Sequence, residues 1–454
     1  MLSKFLQNDL KPLVYLAIPL ALVSMTQSLI SFFETLFFAH LDMDVLAAGA
    51  LVGWLFATLV VIQFGTLSAI NILIAHKCGA KDDQGISAVL RDGFILALLL
   101  MAPTFALLWN MAPILLVFGQ SPRVVALATA YLHPLAWALL PGFMMTVLMQ
   151  LLIGLGRTKI IMLFTLLSVP LTVILSYLFI FGAWGFPDLK IAGAGWAIAI
   201  SNLLVMLAFI VYISTHKVYK KYLNNLFDMK KPEYLMELFR IGLPMGLMFC
   251  LEVGFFFVLM LFMGRISVAA LAANQLVFQY FCFCMEIAFA LAQAITVRMG
   301  HELGAQNAAA AKRASFAGSG LVLVIMLVVA LFYWCAPRQL MSLDINIHSE
   351  QNQALIICAI PFFAIAAVFQ VFEAVRITLF GALRAMKDTR FTLLTSAISF
   401  WGIALPVGYL LAFPGHLDGV GLWWGMVLGG VLSVALLLYR MKKKLSTWKT
   451  THVE

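Results

Sequence analysis

A run of twenty or more apolar residues returns twelve times along this chain, at 13–39, 46–75, 89–118, 124–156, 160–183, 191–215, 241–264, 268–300, 312–336, 351–384, 391–413 and 419–441. Each is long enough to cross a hydrocarbon core of about 30 Å as a helix. Barrel strands would show ten-residue alternation instead, and none is visible. The composition agrees: 63% of residues are hydrophobic and 11% charged, against about half and about a quarter in soluble domains. The expected fold is all-α and polytopic, with the bilayer as main solvent.

The formal charge of +9 would suit a nucleic-acid binder, but its distribution argues otherwise. Alternating the loops from side to side gives one side 24 of the 29 Lys and Arg, and leaves the other Arg123, Lys190, Arg265 and Arg338. That asymmetry is the positive-inside pattern, so both termini are expected in the cytoplasm. Short termini and loops point to a bacterial inner membrane. The lipid bilayer rather than nucleic acid is the expected partner, and a monomer the expected state. The first apolar run is too long for a cleaved signal and passes straight into the membrane protein. The six cysteines form no CxxC or Cys/His cluster and read as packing residues.

The chain repeats itself. At an offset of 225, Pro19 falls on Pro244, Leu46-Ala47-Ala48 on Leu271-Ala272-Ala273, and Gly79-Ala80 on Gly304-Ala305. Further on the offset becomes 227, where Pro134 meets Pro361, Gly154 meets Gly381, Arg157 meets Arg384, and FTLL at 164–167 meets FTLL at 391–394. The unit is therefore six helices, an even number, and both copies share one orientation, a transporter architecture with its site at the repeat interface. The expected division is an amino-terminal lobe over 1–215, a cytoplasmic linker over 216–240, a carboxyl-terminal lobe over 241–441 and a tail over 442–454.

Charges inside the spans carry the functional information, since each costs roughly 2.5–3.5 kcal/mol at mid-bilayer and should face a cavity or a partner. Four acids qualify, Glu34, Glu252, Glu286 and Glu373, with one deep base, Arg376. Glu34 shares a stripe with Gln27 and Ser31. Glu286 shares a face of span 8 with Gln275, Gln279 and Gln293. Gln370, Glu373 and Arg376 are each three apart, so Glu373 and Arg376 can pair. Glu252 stands alone among Met245, Met248, Phe249, Phe255, Phe256 and Leu259.

Burial disfavours the charged form of a carboxylate, so such a glutamate can exchange a proton near neutral pH. Ionised, it attracts a cationic substrate; occupied by H+ or Na+, it no longer does. That exclusivity suffices for antiport, and it makes Glu252, Glu373 and Glu34 candidate cation-coupling residues, with Arg376 as a modulator and Na+ conceivable at Glu252 and Glu373. Phe255, Phe256 and Met248 suit bulky aromatic cations, and Gln279, Glu286 and Gln370 add polar lining. The plainer alternative for each acid is a hydrogen-bonded or ion-paired packing residue, and for the apolar side chains ordinary interhelical packing. His133, before Pro134, could relay protons, although a core histidine is the simpler reading, and His40 and His301 say less. No nucleophile, metal or phosphate motif stands out: GLGRTK at 154–159 lacks P-loop spacing. No enzyme activity and no cofactor beyond the coupling ion is expected.

The conjunction of FRIGLPMGLMFCLEV in span 7, VRMGHELGAQN after span 8 and GALRAMKDT after span 10 resembles the multidrug and toxic compound extrusion (MATE) family, in its NorM-like branch, over essentially the whole chain. The resemblance implies an antiporter that expels amphipathic or cationic small molecules in exchange for Na+ or H+ by alternating access. It places a functional glutamate at Glu252, and matches Glu373 and Glu34 to family aspartates of spans 10 and 1. The chain departs from that pattern at both aspartates, at Arg376 (uncharged in relatives), at Phe369 (a tyrosine expected) and at Ser176 (an asparagine expected). These departures leave the coupling ion open. A lipid-linked oligosaccharide flippase is the alternative within transport, although four deep acids against one base suit pyrophosphate poorly. A non-transporting scaffold is the alternative outside it.

Overall fold

The structure, a computed structural model, describes residues 9–223 and 231–450; residues 224–230 of the expected linker and 451–454 of the expected tail lie outside the described residues. Among the described residues there is no strand, and twelve helices are long and apolar enough to cross a membrane. They are α1 (Lys11–Ala39), α2 (Met43–Gly79), α3 (Asp83–Trp109), α4 (Pro122–Gly154), α5 (Thr158–Phe181), α6 (Ile191–Thr215), α7 (Leu235–Ile266), α8 (Val268–Gly304), α9 (Ala308–Cys335), α10 (Gln353–Ala385), α11 (Thr389–Ala412) and α12 (Asp418–Ser446). The chain is an integral membrane protein, with twelve candidate spans among the described residues.

Helix ends follow local chemistry more than hydropathy. The third apolar run, 89–118, is not one helix. α3 stops at Trp109, where the Asn110 side chain donates to the Ala106 carbonyl at 2.8 Å, and Met111–Val117 forms a separate short helix. At its other end α3 begins six residues before the run, because Asp82 accepts a hydrogen bond from the Gly85 N–H at 2.8 Å and so satisfies one of the first turn's unpaired donors. α5 ends at Gly182, whose φ of 64° is the left-handed stop that glycine adopts without a side-chain clash.

The sequence repeat is a repeat of backbone detail. α2 and α8 are each preceded by an extended residue, Asp42 and Ser267, with φ of −165° and −167°. Each helix is followed by a residue in the left-handed region, Lys81 at φ 57° and Gln306 at φ 60°. Each of those is followed by a side-chain cap: Asp82 on Gly85 N, and Asn307 on Ala310 N at 3.1 Å. All three pairs stand at the offset of 225.

Two compact units result, Leu22–Gly246 and Met1–Ala21 with Leu247–Glu454. Their boundaries do not follow the lobe limits drawn from the sequence. They fall inside α1 and α7, two residues past Pro19 and Pro244, and 216–223 and 231–240 group with the unit Leu22–Gly246. Packing explains the division. The start of α7 lies against α2 so closely that a Cβ on Gly246 would sit 2.5 Å from the Ile62 carbonyl and from Thr66 Oγ1. Tyr234 N, just ahead of α7, donates to the fully buried Asp92 carboxylate at 2.6 Å, and Lys221 Nζ lies 2.5 Å from Asp83. The start of α1 packs with α9 instead: a Cβ on Gly318 would meet Leu13 at 3.5 Å, and Arg313 lies 3.6 Å from Asp9.

Each unit is built around one helix. In Leu22–Gly246 it is α4, which packs on α2, α3 and α6; in the other it is α10, which packs on α8, α9 and α12. Pro134 and Pro361, partners in the repeat, lie inside these two central helices.

Candidate functional site

The charges that the sequence places in spans 7 and 10 meet within the unit built on α10. α10 presents Glu373 and Arg376 on one face, three residues apart. The Arg376 guanidinium is 1% exposed and grips Glu373 with two parallel bonds: Nε donates to Oε2 at 2.7 Å, and Nη2 donates to Oε1. Its Nη1 donates to Glu252 Oε1 on α7 at 2.7 Å. Glu252 and Glu373 are 8% and 3% exposed. A buried charge must be paired and hydrogen-bonded to persist, and each of these three is the reason the others are tolerated.

α11 completes the cluster. Arg376 Nη1 also donates to Ser396 Oγ at 3.3 Å, and that hydroxyl donates to Glu252 Oε1 at 3.2 Å. Two aromatic rings lie near the guanidinium carbon, Phe380 at 4.5 Å and Phe400 at 4.7 Å, so the ring quadrupoles add to its stabilisation. Phe400 lies in a π-helical stretch, Ala397–Ala404, which follows from Pro406: it has no N–H for the carbonyl four residues back, and wider turns absorb the defect. Trp401, in the same stretch, donates its Nε1 to the Leu251 carbonyl at 3.0 Å and ties α11 to α7 one residue before Glu252.

An apolar wall adjoins the charges. Phe255 is buried against Phe400, centroids 4.9 Å apart, and against Phe256 at 5.3 Å. Phe256 continues to Phe278 at 4.8 Å and Phe281 at 6.3 Å; Phe281 stacks on Phe369 at 5.3 Å, and Phe369 meets Trp423 at 6.2 Å. Met248 is buried as well. Gln370, one turn before Glu373, is fully buried with neither amide atom hydrogen-bonded. On α8, Gln279 is exposed and Glu286 half-buried.

Glu34 belongs to the other unit. Its Oε2 accepts from Tyr131 of α4 at 3.3 Å, and its Oε1 is buried without a partner. Phe33, Phe37, Tyr177 and Phe181 form an aromatic group on α1 and α5, with centroids 5.2–6.3 Å apart. Ser176 on α5 is buried with an unpartnered hydroxyl.

Of the residues expected from sequence, the structure therefore joins Glu252, Glu373 and Arg376 in one network and sets Phe255 beside it. It leaves Glu34 with a single tyrosine. Sequence reading missed Ser396, Phe380 and Phe400. Phe380 carried a signal, standing four residues after Arg376 on the same helix face; Ser396 and Phe400 carried none, because only the tertiary fold brings them in.

A family model described as MatE matches residues 19–178 and 244–410. The "Probable multidrug resistance protein NorM" of Pseudomonas aeruginosa is 33% identical over 94% of this chain and 88% of its own length, and that of a Synechocystis strain 30% identical over 96% and 95%. Among solved structures, a Vibrio cholerae MATE transporter in the bent form covers 97% of this chain and 98% of its own, with a TM-score of 0.87 at 18% identity. The crystal structure of a eukaryotic MATE transporter covers 98% and 99%, with a TM-score of 0.82 at 21% identity.

Proposed function

The chain belongs to the MatE family, and from that membership we propose that it is a secondary active multidrug antiporter, exporting organic cations in exchange for H+ or Na+ by alternating access. The observation that carries the reading is the pair of buried glutamates held around Arg376. Two carboxylates against one guanidinium leave the cluster one negative charge in excess, and that charge can be matched by a substrate cation or by a coupling ion, one at a time. Glu252 is the member open to exchange. It holds Arg376 through a single oxygen and is the more exposed of the two acids, whereas Glu373 is engaged through both oxygens. The wall of Phe255, Phe256 and Met248 favours flat aromatic cations.

The pyrophosphate-flippase alternative has less support, because the deep arginine is already spent on two carboxylates. The reading also carries a monomeric protein in a bacterial inner membrane with both termini in the cytoplasm, small-molecule substrates and no resident cofactor. Its test is efflux of ethidium from proteoliposomes under an imposed pH or Na+ gradient, comparing wild type with Glu252→Gln. Gradient-driven efflux should fall to the passive level in the variant; efflux at the wild-type rate would remove Glu252 from the coupling mechanism.

A further inference from the structure

We infer that Arg376 is a built-in counter-cation, which occupies the place a metal cation would take between Glu252 and Glu373 and reserves this site for a proton. The inference rests on the antiport reading for its consequence in transport, but its structural content stands alone. A hard cation is held by several oxygens converging on one point, carboxylates foremost. Here three of the four carboxylate oxygens are already bonded to the guanidinium: both of Glu373, and Oε1 of Glu252. Ser396 Oγ, the neighbouring hydroxyl, is engaged with Arg376 and Glu252 as well. A Na+ entering among these oxygens would sit at contact range of a fixed positive charge in a poorly solvated site, where like-charge repulsion is at its strongest.

A proton has no such conflict. It needs one lone pair, and Glu252 Oε2 is the carboxylate oxygen that makes no bond to Arg376. Protonation there forms one O–H bond and leaves Glu373 neutralised by Arg376, so the cluster goes from one net negative charge to none. Release reverses the step and restores the negative charge that a monovalent organic cation can answer. Glu373 and Arg376 are then positioning residues, and Glu252 alone exchanges. Among the described residues, the charged groups set around Glu252 are Arg376 and Glu373, with Arg384 two turns farther along α10; the α11 side chains in the cluster, Ser396 and Phe400, carry none.

The test measures Na+ binding and transport separately. Purified wild type, Arg376→Gln and Arg376→Lys are assayed in detergent for binding of radiolabelled Na+, and in proteoliposomes for ethidium efflux under each gradient. Wild type and Arg376→Lys, which keep the positive charge, should bind Na+ only as weakly as Glu252→Gln does, so that any Na+ held elsewhere, as at Glu34, is subtracted. Arg376→Gln should gain Na+ affinity of about tenfold or more, the scale of effect a contacting charge has on a carboxylate. A merely structural arginine would not change ion selectivity. Saturable Na+ binding to the wild-type site, abolished by Glu252→Gln, would overturn the inference, and so would a folded Arg376→Gln that gains none. If Arg376→Gln does not fold, the wild-type and Arg376→Lys measurements still decide. Should wild type show the expected binding but no efflux under either gradient, the antiport reading fails and the inference about the site holds.

Discussion

Arg376 donates four hydrogen bonds to three side chains, and its loss would be felt as an electrostatic fault rather than a cavity. Removing one partner of a buried ion pair leaves the other charge uncompensated, at a cost of about 3–5 kcal/mol. Arg376→Met should therefore lower stability by that order, read by thermal denaturation in detergent. The double variant Glu373→Gln with Arg376→Met leaves Glu252 as the cluster's single acid and should cost less than Arg376→Met alone, a sign reversal that independent sites would not show. Ser396→Ala removes one bridging hydroxyl and should cost about 1 kcal/mol. Much of this was legible at the level of residue type: four acids and one base in apolar runs, and the three-residue spacing of Glu373 and Arg376. The partner of Glu252 was not. It lies 124 residues away on another helix, and no periodicity on α7 can announce it.

At the scale of the element, the repeat registers in turn chemistry. The α2–α3 turn and its counterpart between α8 and α9 use Asp82 and Asn307 as caps. Asp82→Ala should cost about 1 kcal/mol. The bond from Gly85 N–H, and then the Lys77 ammonium, hold the Asp82 carboxyl below the usual carboxylate range. A lowered folded-state value means that this stabilisation is present at neutral pH and fades as acid protonates the group. The gap between wild type and Asp82→Ala, followed by denaturation against pH, should accordingly narrow toward low pH. Hydropathy located all twelve helices but not their ends: Asn110 cut the third run short, and Asp82 started α3 early. The π-helical stretch of α11 was equally hidden. Pro406 signals a defect somewhere before it, but not that the π-helical stretch would hold Phe400 beside Arg376.

At the scale of the whole molecule, the sequence repeat implies two six-helix halves, whereas the two compact units change over inside α1 and α7. The mismatch lies in α1 and α7, whose first turns pack away from the rest of their own helices. Sequence alignment could pair Pro19 with Pro244 but could not show that packing changes sides just after them, because packing partners are not written in a helix's own period. Gly242 and Gly246 mark where α7 lies on α2, and leucine at Gly246 should be refused there. The expected result is loss of the monodisperse peak on size exclusion, whereas Gly320→Leu, where a Cβ would meet nothing within 4 Å, should leave that peak intact.

The straddling of α1 and α7 bears on how the gene can be divided. A plasmid encoding only 1–223 would make a polypeptide whose α2 lacks its cover around Ile62 and Thr66, while one encoding only 231–454 would lack the strip that Leu13 lays on Gly318. Expressed alone, each half should therefore fold poorly. Co-translated in one cell, however, each fragment carries the piece the other is missing, so the two should associate without a peptide bond between them, and tagging one should co-purify its complement.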